Sequence, residues 1–261
     1  MKAIILAAGK GTRLQKYTFE KPKGMLKFGG KSLIDHQIAV LRHVGIIDIT
    51  IVVGYKKEHI NISGIKTYTN PDFSDTNMVE SLFCALPELS NDVLVLYGDI
   101  IYEPRLIQNI ILSNANISVA VDTDWKKYWI QRYDTVLYDL ETLQINEKGL
   151  ISELGNETTE IDKIDARYIG IVKFSNVGIE ILKQCYERNK KIYWNKTWQK
   201  SKNTFQNAYM TDMLQQLLDD GNKIFASKQE RGWLEFDTNQ DYERMKNLLD
   251  TGQLNSIIKL I

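Results

Sequence analysis

Short apolar runs alternate with helical patterns through the first hundred residues. The runs are partly β-branched, as in strands buried on both faces, and they fall at residues 3–8, 46–53, 65–68 and 93–97. Two helical patterns separate them, at residues 33–44, where Ser32 is a suitable N-cap, and at residues 77–86. Since strands that alternate with helices form parallel sheets, the pattern predicts an α/β fold with a Rossmann-like, mostly parallel sheet flanked by helices.

The pattern changes after residue 120, where all five tryptophans lie. Strands are predicted there at residues 136–138, 150–153, 168–174 and 233–237. Helices are predicted at residues 179–186, at 210–218 and from 239 onward, the last with Asp237 or Thr238 as its N-cap. Because the sequence has neither an internal repeat nor a low-complexity linker, we expect a single domain over residues 1–261.

The composition limits the classes of function. With 261 residues, 43% of them hydrophobic, the chain can bury a substantial core. Its 33 Lys and Arg residues balance 33 Asp and Glu residues, so we expect neither a nucleic-acid partner nor a membrane surface. No apolar run reaches the roughly 18 residues of a membrane span, and the first residues do not form a signal peptide, which predicts a cytoplasmic protein. The sequence leaves a homo-oligomer open.

The first predicted strand runs into a loop that contains two glycines. Gly9 and Gly11 have no side chains, so the backbone can approach a ligand there and point several N–H groups at it. Cations surround this loop and follow it closely: Lys10, Arg13, Lys21 and Lys23. A loop of this kind is suited to bind a polyphosphate.

Two common phosphate-binding motifs do not fit the spacing of these glycines. A dinucleotide-binding fingerprint requires a third glycine at the position of Leu14. A P-loop that ends in Gly30, Lys31 and Ser32 requires its first glycine at the position of Met25. Neither motif therefore describes the loop.

An aspartate follows another predicted strand. Gly98 and Asp99 come directly after residues 93–97, and ligands of parallel sheets bind beyond the carboxyl ends of the strands. Because Mg²⁺ prefers one or two carboxylates together with phosphate oxygens, we predict that Asp99 holds Mg²⁺ beside the phosphates bound by the glycine loop. The alternative is a turn carboxylate without a ligand.

The opening stretch resembles the signature of nucleotidyltransferases that act on sugar phosphates and related compounds. In that family a strand runs into L-A-A-G-x-G-T/S-R-L and is followed by K-P-K; here residues 6–14 are LAAGKGTRL and residues 21–23 are KPK. The resemblance covers nearly the whole chain and implies a GT-A-like architecture, with a nucleotide-binding half at 1–120 and an acceptor-binding half at 121–261. It implies catalytic roles for Lys10, Arg13 and Lys23. It also implies nucleotide contacts from Leu6, Ala7, Ala8, Gly9, Gly11, Thr12 and Gly98.

The resemblance also bears on the metal site. In this family a late acidic residue joins the early aspartate to complete the site. Asp237, at the end of the predicted strand 233–237, is the candidate here, and Glu235 is an adjacent alternative. The alternative is that Asp237 serves only as the N-cap of the helix predicted from residue 239.

Three shorter stretches narrow the resemblance. Residues 75–82, 121–127 and 166–171 are similar to small-acceptor cytidylyltransferases, including those that activate phosphocholine, aminoalkylphosphonates or, in capsule biosynthesis, phosphoglutamine. This similarity implies that Asn77 and Ser81 lie near the base and ribose. It implies an Mg²⁺-dependent cytidylyltransferase that uses CTP and a small phosphorylated acceptor. A sugar-1-phosphate nucleotidyltransferase using UTP or dTTP, a non-catalytic nucleotide-binding regulatory module and a structural α/β subunit are the alternatives.

Two kinds of acceptor are compatible with the second half. Tryptophans could enclose a quaternary ammonium group with help from a neighbouring carboxylate, the candidates being Trp125, Trp129, Trp233, Asp122 and Asp124. Basic residues could instead receive a carboxylate, the candidates being Lys126, Lys127, Arg132 and Arg167. Glu235 is a further acceptor candidate. Core packing and solvated surface charge are the alternatives for each of these residues, and the basic set makes a phospho-amino acid slightly preferable to choline.

Overall fold

A seven-stranded β-sheet forms the centre of the structure, a computed structural model that describes residues 1–198 and 203–261. The strands in the described part of the chain are β1 (Lys2–Ala7), β2 (Lys27–Phe28), β3 (Lys31–Ser32), β4 (Ile49–Val53), β5 (Lys66–Thr69), β6 (Val93–Tyr97), β7 (Ile100–Tyr102), β8 (Ile117–Asp122), β9 (Glu141–Ile145), β10 (Ile151–Glu157), β11 (Arg167–Phe174), β12 (Phe225–Gln229) and β13 (Trp233–Glu235). The α-helices there are α1 (Gln15–Thr18), α2 (Leu33–His43), α3 (Met78–Cys84), α4 (Pro104–Ile111), α5 (Trp125–Tyr133), α6 (Asn176–Tyr193), α7 (Met210–Asp219) and α8 (Asn239–Asp250).

The central sheet is mostly parallel. Its strand order is β12-β8-β11-β6-β1-β4-β5. β1 pairs in parallel with β4 and β6, and β12 with β8, whereas β11 is antiparallel to both of its neighbours. The predicted α/β fold is confirmed, and strands from both halves of the chain contribute to one sheet.

Each face of the sheet carries its own apolar core. Successive residues of β1 alternate between the two cores, with Ile5 on one side and Ile4 on the other. Helices α2, α4, α5 and α8 contribute to the first core, and α3, α6 and α7 to the second. This two-sided burial is why β1, β4 and β6 are nearly continuous apolar runs in the sequence.

The predicted helix after the glycine loop is confirmed, with its cap. The Ser32 hydroxyl accepts a hydrogen bond from the backbone N–H of Asp35, whose carboxylate faces the Ser32 N–H in return. At the other end Gly45 has φ 85°, and the N–H of Ile46 donates to Leu41 O. Strand β4 therefore begins at Ile49 and not at residue 46.

One predicted strand is wrong. Residues 136–138 form a loop between Asp134 and Asp139, which have positive φ angles of 60° and 50° that a strand does not contain. Tyr138 O in this loop accepts a hydrogen bond from Trp129 Nε1 at 2.8 Å, so the loop is fixed to helix α5. The strand of this region, β9, begins only at Glu141. Strands β8 and β12, which extend the sheet, were not predicted.

In the two described ranges, no helix combines the length and the apolar character required to cross a membrane.

We expect Gly170→Ala to destabilise the fold more than Gly221→Ala. Both glycines have a positive φ, of 79° and 84°, so each substitution carries a backbone cost of about 1–2 kcal/mol. Only at Gly170 would the added Cβ meet another group, the Tyr97 ring at 2.9 Å, and this overpacking adds about 1–3 kcal/mol. Urea unfolding of both variants measures the difference, and equal unfolding free energies would contradict the predicted collision.

Candidate active site

A cleft of about 860 Å³ opens beyond the carboxyl ends of β1 and β6. The glycine loop after β1 lines one part of it, and Gly98 and Asp99 after β6 line another. This is the end of a parallel sheet at which ligands bind. The strand-end argument from the sequence therefore placed both elements correctly.

The glycine loop has the open backbone expected of a ligand-binding turn. A Cβ on Gly9 would meet nothing within 4 Å, whereas a Cβ on Gly11, at φ 63°, would lie 3.0 Å from Lys23 Cβ. The Thr18 hydroxyl donates to Gly11 O at 2.9 Å and fixes the turn from behind. Glycine at position 11 thus allows Lys23 to pack directly against the loop.

Three carboxylates meet at the side of the cleft that faces this loop. Antiparallel pairing of β7 with β13 sets Glu235 opposite Ile100, and the N–H of Phe236 donates to Asp99 O at 3.2 Å. One carboxylate oxygen from each of Asp99, Glu235 and Asp237 lies within 4.8 Å of the others. The short pairing of β7 with β13 thus brings Asp99 next to Glu235, which lies 136 positions further along the sequence.

Lys23 lies among these carboxylates. Its Nζ donates to Asp99 Oδ2 at 2.6 Å and to Asp237 Oδ1 at 2.8 Å. Arg13 NH2 also donates to Asp237 Oδ1, at 3.1 Å. The cations of residues 13–23, Asp99 and Asp237 were predicted separately from the sequence, and in the structure they form one charge cluster.

The cluster shifts the pKa values of its members. Burial alone favours the neutral amine of Lys23, but the carboxylates of Asp99 and Asp237 outweigh it and raise the Lys23 pKa. Burial would raise the pKa of Asp237, but Lys23, Arg132 and Arg13 hold it well below its usual value. Burial and the nearby Asp237 raise the pKa of Glu235, although Arg132 opposes this shift. The surrounding cations thus favour the charged form of Asp237 more strongly than that of Glu235.

The donor set fits a hard divalent cation. Its ligand atoms are all carboxylate oxygens, as Mg²⁺ prefers. Within the described residues, Asp99 Oδ1 is buried and has no hydrogen-bond partner, so it retains an acceptor for an added cation. The structure brings together Asp99 with both Asp237 and its alternative Glu235.

The predicted nucleotide-contacting residues converge on the same cleft. All nine line it, namely Leu6, Ala7, Ala8, Gly9, Gly11, Thr12, Asn77, Ser81 and Gly98. Asn77 also caps helix α3, since its side chain accepts from the backbone N–H of Met78. Lys23 and Arg13 line the cleft as well, whereas Lys10 is exposed beside it, with Nζ 5.7 Å from the Phe73 ring.

Several predicted acceptor residues lie away from the cleft. Trp125 and Trp233 are 1% exposed and pack in the core. Asp122 is fully buried and accepts a hydrogen bond from Trp233 Nε1 at 2.9 Å, so its position is explained by packing. Lys126 is exposed with Nζ 5.8 Å from the Trp125 ring. These four positions correct the prediction of acceptor contacts.

Arg132 is also placed differently from the prediction. Its guanidinium is buried behind the carboxylates, donating from NH1 to Glu235 Oε2 at 2.7 Å and from NH2 to Asp237 Oδ2 at 3.1 Å. It therefore contacts the acidic cluster from the protein side and not the cleft.

Arg167 and Trp129 are the basic and aromatic acceptor candidates that do line the cleft. The Arg167 guanidinium lies 4.5 Å from the centre of the Trp129 ring, and its NH2 donates to Asp139 O at 2.8 Å. The cation thus already covers the tryptophan face that a quaternary ammonium group would use.

The match to a known family agrees with this geometry. The model of the MobA-like NTP transferase domain matches residues 3–154, which is more than half of the chain. The chain belongs to the MobA-like NTP transferase family. The prediction of a nucleotidyltransferase is confirmed.

Individual relatives of this nucleotidyltransferase include cytidylyltransferases. It is 35% identical over 256 residues to the CTP:phosphoglutamine cytidylyltransferase of Campylobacter jejuni, a match that covers 93% of this chain and 98% of the relative. It is 41% identical over 99 residues to the choline-phosphate cytidylyltransferase of Streptococcus pneumoniae, covering 36% of this chain and 43% of that one. The solved CTP:phosphocholine cytidylyltransferase of S. pneumoniae has the same fold, with a TM-score of 0.73 at 22% identity over 95% of this chain and 98% of that chain.

The sequence did not reveal every residue of the nucleotidyltransferase cleft. Tyr97, Glu141 and Tyr168 line it without having been predicted. Burial raises the pKa of Glu141 to about 7, although the nearby Arg167 opposes this shift. The Tyr168 ring packs edge-on against the Tyr97 ring, with ring centres 5.5 Å apart. Glu141 was missed because the turn before it was mistaken for a strand, whereas Tyr97 and Tyr168 lie on strands β6 and β11 that were predicted without assigning their side chains to the cleft.

We expect the raised pKa of Glu141 to make stability depend on pH. The folded chain binds the Glu141 proton more tightly than the unfolded chain, so this contribution is complete below the ordinary pKa of 4.5 and is lost as the pH rises towards 7. The unfolding free energy of the wild type minus that of Glu141→Gln should therefore fall by on the order of 1–2 kcal/mol from about pH 5 to about pH 8.

Urea unfolding at several pH values measures this difference. Glu147→Gln, at an exposed position in the turn between β9 and β10, is the matched control and should show a constant difference. A constant difference for Glu141→Gln as well would show that the Glu141 carboxyl is not held protonated by the fold.

Proposed function

We propose that this nucleotidyltransferase is an Mg²⁺-dependent cytidylyltransferase that transfers CMP from CTP to a small phosphorylated acceptor and releases pyrophosphate. The observation that carries the proposal is the charge cluster in the cleft, where Lys23 contacts Asp99 at 2.6 Å and Asp237 at 2.8 Å directly beside the glycine loop. CTP as the nucleotide is supported by the relative from C. jejuni, which is similar over nearly its whole length.

The nucleotide-binding half, residues 1–120, holds the triphosphate in this proposal. N–H groups of the loop from Gly9 to Thr12 would donate hydrogen bonds to phosphate oxygens. Asn77 and Ser81, which line the same cleft, would contact the base and ribose. Arg13 and Lys10 neutralise the departing pyrophosphate. Lys23 lies nearest the carboxylates, where the α-phosphate would meet the acceptor.

The reaction requires little proton transfer. A phosphate oxygen of the acceptor attacks the α-phosphorus in line, and the bond from the α-phosphorus to the β-phosphate bridging oxygen breaks. Because the attacking oxygen is already an anion, catalysis depends on positioning and charge neutralisation, which oriented amides and buried cations supply. Asp99 and Asp237, with Glu235 adjacent, would hold Mg²⁺, which supplies Lewis-acid charge neutralisation at the phosphates.

The acceptor-binding half, residues 121–261, contributes the opposite wall of the cleft. Arg167 donates to two backbone carbonyls, those of Asp139 and Glu141, and retains further N–H groups for a ligand carboxylate. The Glu141 side chain lines the same wall and is suited to receive an ammonium group. A carboxylate and an ammonium on one small molecule describe an amino acid.

This arrangement favours a phosphorylated amino acid as acceptor over phosphocholine. Choline has no carboxylate for Arg167, and the Trp129 face that would bind its quaternary ammonium group is covered by the same arginine. The relative from C. jejuni carries phosphoglutamine in its name, which supports the same class of acceptor.

A pyrophosphate-release assay tests the proposal. With CTP and Mg²⁺, we expect phosphoglutamine to give a kcat/KM at least about 10-fold above that of phosphocholine or a sugar 1-phosphate, because only the amino acid satisfies both Arg167 and Glu141. Chelation of the metal should abolish release. Activity confined to UTP or dTTP with a sugar 1-phosphate would overturn the proposed nucleotide and acceptor.

We expect Lys23→Met to lower kcat by about 100- to 1,000-fold, because it removes the cation that lies closest to the reacting phosphates. The acceptor KM should change by no more than about 3-fold, since Lys23 lies on the loop side of the cleft. Lys27→Met, on the exposed face of β2, is the matched control. Unchanged turnover of Lys23→Met at saturating substrates would contradict the role.

A further inference from the structure

Arg132 is a buried arginine that the phosphate and acceptor contacts do not use. Its side chain is 1% exposed and makes ion pairs with Glu235, Asp237 and Asp241 at 2.7, 3.1 and 2.7 Å. Two of these partners belong to the carboxylate cluster of the cleft, and the third lies behind it. Burying a guanidinium is costly, and the three acidic partners compensate its charge.

We propose that Arg132 is a positioning residue that fixes the carboxylates of Glu235 and Asp237 in the orientation in which they bind a divalent cation. The inference rests on the metal site of the proposed function and deepens it. Arg132 itself touches neither metal nor substrate.

The two oxygens of Asp237 show how the positioning works. Oδ2 accepts from Arg132 NH2 at 3.1 Å, whereas Oδ1 accepts from Lys23 Nζ and Arg13 NH2 on the cleft side. The guanidinium therefore occupies the rear oxygen and turns the other towards the phosphate-binding side. Glu235 is held in the same manner, through Oε2 at 2.7 Å from Arg132 NH1.

Asp241 holds the guanidinium from behind. Arg132 Nε and NH2 donate to its two carboxylate oxygens at 2.9 and 2.7 Å, which is the bidentate geometry that only arginine provides. Asp241 also accepts from the N–H of Asp237 at 2.9 Å, and its own N–H donates to the Thr238 cap of α8. The start of this helix thus fixes both the arginine and the backbone of the metal-ligand candidate.

Aromatic rings shield this arrangement from water. The guanidinium carbon lies 5.7, 5.5 and 4.8 Å from the ring centres of Tyr128, Trp129 and Tyr133. The Tyr128 hydroxyl accepts from the N–H of Glu235 at 3.0 Å, so the same wall holds the strand that carries the carboxylates. Arg132 is consequently restricted to a single orientation.

Positioning and simple charge predict opposite effects on metal binding. If Arg132 contributed only a positive charge, its replacement would strengthen the binding of a divalent cation, because it removes electrostatic repulsion. If it positions the ligands, replacement weakens binding, and partners that orient metal ligands typically contribute about 10- to 100-fold in affinity. Arg132→Lys keeps the charge but loses the fork that reaches three carboxylates.

The test is Mn²⁺ binding to the full chain in the presence of CTP, measured by the electron paramagnetic resonance signal of free Mn²⁺. We expect Arg132→Lys to weaken binding by about 10- to 100-fold. The apparent KM for Mg²⁺ should rise in parallel, with kcat recovering at saturating Mg²⁺. Arg244→Lys is the matched control, because Arg244, on α8 like Asp241, forms a bidentate pair with Asp134, the exposed C-cap residue of α5. Its Mn²⁺ affinity should stay within about 2-fold of the wild type.

Asp241→Glu provides a second, independent variant. It keeps the negative charge and leaves Arg132 in place but displaces the carboxylate that anchors the guanidinium, so positioning predicts weaker Mn²⁺ binding whereas simple charge predicts no change. Should Arg132→Lys fail to fold by circular dichroism, Asp241→Glu distinguishes the two explanations. Unchanged or tighter Mn²⁺ binding in the folded variants overturns the positioning role. Failure of the wild-type protein to bind Mn²⁺ with CTP would instead overturn the metal site of the proposed function.

Discussion

The double ion pair of Lys23 connects three distant parts of the chain. Its ammonium lies 2.6 Å from Asp99 and 2.8 Å from Asp237, which are 76 and 214 positions further along the sequence. Buried charges of one sign are strongly unfavourable unless opposite charges lie close by, so neither the lysine nor the aspartates can hold these positions alone. The glycine loop, the end of β6 and the end of β13 are therefore obliged to meet at one place.

Strand pairing makes this meeting possible without long loops. β1 and β6 are neighbours in the sheet, so the segments that follow them begin side by side, and β7 then pairs with β13 to deliver the late carboxylates. Arg132, which comes from helix α5, closes the cluster from the rear. The acidic residues are thus held by backbone pairing on one side and by a fixed guanidinium on the other.

How far the sequence predicts this site depends on how local each signal is. The glycine loop is contiguous, and Asp99 follows from the rule for strand ends, so both were predicted from the residues; Asp237 required the resemblance to a family. Trp125 and Trp233 were misplaced because a tryptophan in a core and one in a binding site have the same sequence signature. The partners of Arg132 lie 103 to 109 positions away, and only the folded chain reveals them.

The late arrival of β13 has a consequence for biosynthesis. A chain emerging from the ribosome completes the glycine loop and β6 long before residue 237 is made. Until then, Lys23 and Asp99 lack the negative charge of Asp237. Domains generally fold as units, and the central sheet likewise lacks β12 until late in translation. A nascent or prematurely terminated chain would accordingly carry the glycine loop without the complete charge cluster that Asp237 closes.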